Sequence, residues 1–96
     1  MIIAVSGEFG DQLEQFVYYK VENNSIRERE NIFTPPGGVD ALLKQFISLE
    51  IDLLIAGNLP ETLEMALSDA GIAVISKVHG VSDQVLKSYL AGTLEF

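Results

Sequence analysis

The sequence predicts one α/β domain of three layers, α/β/α, around a mixed five-stranded sheet in the order β-β-β-α-β-α-β-α. Ile2–Val5 and Asp52–Ala56 carry short continuous apolar runs, the pattern of strands covered on both faces. Two aromatic and β-branched runs, Phe16–Val21 and Ile26–Phe33, flank Glu22-Asn23-Asn24-Ser25, which reads as a hairpin. From Val39 onward, apolar residues at helical spacing alternate with short strands, which places the later part of the chain in parallel β-α-β units.

Ile2–Val5 has no polar face and belongs at the centre of the sheet. Asn23 and Asn24 tolerate the left-handed backbone that a tight hairpin needs. Arg27, Glu28, Arg29 and Glu30 put charge on both faces of the returning strand, which suits an edge protected from pairing with other chains. Thr34-Pro35-Pro36-Gly37-Gly38 cannot continue a sheet, and Val39, Leu42, Leu43, Phe46 and Ile47 then form a helical stripe. After Asp52–Ala56, Gly57-Asn58-Leu59 makes a tight connection and Pro60 opens a second helix striped by Leu63, Ala66, Leu67 and Ala70. Gly71 stops that helix, Ile72–Ile75 is the last strand, and Ser82 reads as the N-cap of a third helix that ends at Gly92.

With 96 residues the chain suffices for one domain, 1–96, and 48% apolar content provides a core without cross-links. The absence of cysteine excludes disulfides, thiolate metal sites and cysteine nucleophiles. No secretory signal is read at the N-terminus, and no apolar run approaches the roughly 20 residues of a spanning helix, so a cytoplasmic protein without membrane contact is expected. A formal charge of −8 repels nucleic acid.

Catalytic constellations are thin. The element order resembles the ribonuclease H-like architecture, whose nucleases hold two metal ions with carboxylates on the first and fourth strands. Here Ile2–Val5 carries no acid, and Asp52 alone cannot clamp metals. His79 is the only histidine, too few for a zinc site, although one imidazole can serve as an end-on ligand to a preassembled cluster. Ser6, Ser76 and Ser82 lack an evident orienting acid for a triad. No enzyme is expected. Gly57-Asn58 and Val78-His79-Gly80 follow parallel strands, where open α/β sheets bind ligands.

Three stretches in order, DLLIAGNLP, ALSDAGIAVI and VSDQVLKSYLAGTLE, resemble the dinitrogenase iron-molybdenum cofactor biosynthesis family, the NifX-like domains also found at the C-terminus of NifB. The resemblance spans about Gly38 to Glu95, and MIIAVS fits the family's opening strand. It implies a non-enzymatic domain that carries an iron-sulfur or iron-molybdenum cluster transiently and meets cofactor-assembly proteins. In the family the loop after the first strand contains His-Phe-Gly, with the histidine a candidate ligand; Glu8-Phe9-Gly10 stands there in this chain. Ala56-Gly57-Asn58 replaces the family's cysteine or paired glycine. The expected cofactor rim is therefore Glu8, Phe9, Gly10, Gly57, Asn58, His79 and Gly80, with His79 as the metal ligand. The alternative is an interaction or regulatory domain that keeps the fold without a cofactor. The two differ in whether His79 shares a pocket with Glu8 and Asn58 or faces solvent.

Overall fold

β1 (Ile2–Val5) is apolar throughout, and in the computed structural model, which describes residues 1–9 and 14–92, it is the middle strand. A 3-10 turn (Gly7–Phe9) follows, then β2 (Gln15–Glu22), β3 (Ser25–Phe33), α1 (Gly38–Ser48), β4 (Leu53–Ile55), α2 (Glu61–Asp69), β5 (Ala73–Ile75) and α3 (Ser82–Leu90). The sheet runs β3-β2-β1-β4-β5. β1 is antiparallel to β2, with Ala4 opposite Tyr18, and parallel to β4, with Ala4 beside Leu54. β4 and β5 are parallel. The fold is the expected three-layer α/β/α arrangement with a mixed sheet.

Alternation along β1 explains the layers, because successive side chains leave a strand on opposite faces. Ala4 joins Phe16, Leu54, Leu42, Phe46, Leu63 and Leu67 beneath α1 and α2. Ile3 and Val5 join Val17, Tyr19, Leu53, Ile55, Val85 and Leu86 beneath α3. Phe16 and Phe46 meet edge to face, their ring centres 5.0 Å apart, the orientation that ring quadrupoles favour.

β3 is an edge strand and is solvated over most of its length. Asn23 and Asn24 have φ of 53° and 60°, so both central turn residues are left-handed, as a twist-matched hairpin turn requires. Lys20 lies opposite Glu28 and Val21 opposite Ile26, which makes Arg27 the extra residue of a bulge.

The helix ends share a design. At α2, Ile72 N–H donates to Leu67 O and Gly71 N–H to Ser68 O, closing a Schellman motif with Gly71 at φ +86°. α1 repeats it: Ile51 N–H donates to Phe46 O and Glu50 N–H to Ile47 O, with Glu50 in the left-handed position at φ 58°. The helix starts depart from the sequence reading. Pro60 is the N-cap of α2 rather than its first turn, and Val81 rather than Ser82 precedes α3. Asp52 precedes β4: its carboxylate accepts from Ile2 N–H at 2.8 Å, and its own N–H donates to Ile2 O. Among the described residues no helix is long and apolar enough to cross a membrane.

Candidate functional site

Three parallel strands end on the same side of the sheet, and their following loops interlock there. Ala56 N–H donates to Ile75 O, Lys77 N–H to Gly57 O, and Val78 N–H to Ala56 O, which extends the β4–β5 pairing past the strands. Ser6 N–H donates to Ile55 O and ties the end of β1 to β4. Gly7 then passes so close to the β5–α3 loop that a Cβ at this position would lie 2.2 Å from Val78 O. The glycine is required by this approach, not by its own φ.

Glu8 follows directly and reaches the start of α3, where its Oε2 accepts from Ser82 N–H at 2.6 Å. A carboxylate there satisfies one of the orphan amides of a helix N-terminus and complements the helix dipole. Ser82 itself is fully buried, and its Oγ lacks a hydrogen-bond partner. The cap of α3 is therefore a residue distant in sequence.

His79 is exposed and lines a groove of about 380 Å³ between the β5–α3 loop and α3, shared with Lys77, Gln84 and Ser88. Gly80, at φ +136°, is part of the same wall. Neither Glu8 nor Asn58 lines that groove and His79 is exposed, so the pocket that the cofactor reading expects these three residues to share is not formed. Gly57 is buried and serves through its carbonyl, whereas Asn58 is exposed. The backbone of Phe9 ends the 3-10 turn, and Gly10 lies outside the described residues. The structure thus brings the Glu8, Gly57 and His79 loops into contact, yet gives the groove to His79 with three residues that the sequence did not single out. Lys77 and the helical pair Gln84 and Ser88 had no motif to mark them; only the spacing of four along α3 places the latter two on one side.

On the other side of α3, Asp83 ties the helix to the hairpin. Tyr19 Oη donates to Asp83 Oδ1 at 2.5 Å, and Arg29 Nε donates to the same oxygen at 2.9 Å. The Arg29 guanidinium also lies 5.9 Å from the centre of the Tyr19 ring. Burial first, and then the bond to Asp83, push the Tyr19 hydroxyl well above the ordinary tyrosine range. The bonds from Tyr19 and then Arg29 hold the Asp83 carboxyl below its usual value.

As a donor set for metal, the arrangement is sparse. Among the described residues no group of three or more histidine, aspartate or glutamate side chains is placed to hold a metal ion. One oxygen of Glu8 is committed to the α3 amide. The residues therefore fit an end-on contact from His79 to a cluster that brings its own ligands, and do not fit a bare ion.

No family model matches the chain, and no curated protein matches it. Among solved structures, the crystal structure of PH0822 superposes with a TM-score of 0.86 at 19% identity, covering 100% of this chain and 96% of that one. At that identity, the likeness establishes the shared fold.

Proposed function

We propose that this protein is a non-enzymatic carrier domain of the iron-molybdenum cofactor biosynthesis type, taking a preassembled metallocluster as cargo in the cytoplasm. The observation that carries the reading is His79, an exposed imidazole on the groove between the β5–α3 loop and α3, at the end of the sheet where the parallel strands β1, β4 and β5 terminate. Ligand sites of open α/β sheets form at this end of the strands. His79 supplies a nitrogen donor to iron, and the cluster supplies the remaining coordination. Anaerobic titration with isolated iron-molybdenum cofactor, followed by paramagnetic resonance, tests it. Binding that His79→Ala weakens about tenfold or more is expected. Binding unaffected by that change would overturn the assignment.

A second reading, an interaction domain without cofactor, is supported by the nine-residue exposed edge strand β3 and by an exposed His79 that shares no pocket with Glu8 or Asn58. Partner segments add to such edges through main-chain hydrogen bonds. On this reading, reversing Glu28 and Glu30 to lysine changes association with assembly proteins, whereas His79→Ala does not.

A further inference from the structure

We infer that the groove between the β5–α3 loop and α3 binds a phosphate-like oxyanion, free or borne on a larger ligand, with Lys77 as the charge-recognising residue. The inference rests on the proposed function only for its choice of groove.

The chain has 14 acidic residues against 6 basic ones, yet none of the groove's described lining residues is acidic. Its polar side chains are Lys77, His79, Gln84 and Ser88. An ammonium, an imidazole, an amide and a hydroxyl can all donate hydrogen bonds, and an oxyanion accepts them from several directions at once. On a protein of charge −8, a groove whose lining adds a lysine and no carboxylate offers an anion a locally favourable charge.

The backbone at Lys77 is also unusual. The described non-glycine residues with positive φ are Asn23, Asn24, Glu50 and Lys77. The two asparagines form the hairpin turn and Glu50 closes α1, but Lys77, at φ 64°, lies at neither kind of site. A lysine is a poor choice for that conformation, which glycine or asparagine adopts more readily. The conformation is fixed from both sides by Lys77 N–H on Gly57 O and Val78 N–H on Ala56 O, while Gly7 packs against Val78 O. Strain retained at one position and held by its neighbours is a mark of function when the side chain involved has a role. Here the residue is one of those that line the groove.

Lys77→Gly separates the two properties, because glycine keeps the backbone and removes the charge. Titration of isotope-labelled protein with inorganic phosphate, at constant ionic strength, reads the amides of Lys77, Gly80 and Ser88. Saturable shifts are expected in the wild type, with affinity at least about tenfold weaker in Lys77→Gly and a melting temperature unchanged or raised. Lys44→Gln, on α1, serves as the charge control and leaves binding unchanged. Phenyl phosphate in a parallel titration distinguishes the sources: clearly tighter binding than inorganic phosphate assigns the site to a phosphate borne on a larger ligand, and equal binding to the free anion. Absence of saturable binding in the wild type, or equal binding in Lys77→Gly, overturns the inference. Loss of cluster binding with phosphate binding retained would count against the carrier function alone.

Discussion

At Glu8 the hydrogen bond to Ser82 N–H joins the end of β1 to the start of α3. Removing a helix-capping acceptor costs about 0.5–2 kcal/mol, so Glu8→Ala should lower stability by roughly 1 kcal/mol in urea unfolding. Glu8→Gln retains an acceptor and should lose less, the difference being the charge at the helix dipole. Tyr19 makes a pH-dependent contribution whose sign is fixed by its raised pKa. In the unfolded chain a tyrosine ionises near the ordinary 10.0, whereas the folded protein keeps the proton on Tyr19. Its contribution is thus complete below pH 10 and is lost as pH rises above that value. Asp83 works oppositely: its depressed pKa stabilises the fold above the ordinary 3.8, and that contribution fades as pH falls. Tyr19→Phe should cost about 1 kcal/mol at neutral pH and flatten the alkaline loss; an unchanged alkaline limb in denaturation profiles would show that other groups produce it.

α1 closes on Glu50 in a position that glycine occupies in α2 and α3, where Gly71 and Gly92 have φ of +86° and +73°. Glu50→Gly should therefore stabilise the protein by about 1 kcal/mol, because left-handed backbone strain outweighs the extra freedom of glycine in the unfolded chain. Leu67→Ala on α2 lies at the other extreme, since Leu67 is fully buried between helix and sheet; about 2–5 kcal/mol should be lost, with the midpoint of denaturation shifting in proportion. The elements themselves were legible because their signals are local: the apolar run of β1, the paired asparagines of the hairpin, the charged edge of β3 and the stripe of α1 each lie within a few residues. What was not legible was action at a distance. Ser82 looked like a cap because serine before a helix commonly is one, and nothing near it announces that Glu8 takes that role from across the fold. Asp52 looked like the start of a strand, yet it is spent on Ile2 N–H. The groove around His79 stayed hidden for the same reason, since Lys77, Gln84 and Ser88 meet it only when the loop packs beside α3.

For the molecule as a whole, charge and topology both bear on what it handles. Nuclease chemistry in this element order needs carboxylates on β1 and β4, whereas β1 has none and Asp52 precedes β4, bonded to the chain start. Incubation with DNA or RNA and magnesium or manganese should leave the substrate intact; cleavage abolished by Asp52→Asn would contradict this. The sheet order has a further consequence, for the birth of the chain on the ribosome. The middle strand gains β2 once synthesis reaches residue 22, but its other neighbour, β4, arrives only when synthesis has run on to residue 53. At ordinary elongation speeds that interval is about 1.5–6 s. Through those seconds a nascent hairpin sheet presents Ile2, Ile3, Ala4 and Val5 along an uncovered margin, open to any passing extended segment. Changes that delay or weaken β4 should then appear first as insoluble product during expression, before any defect shows in the purified, folded protein.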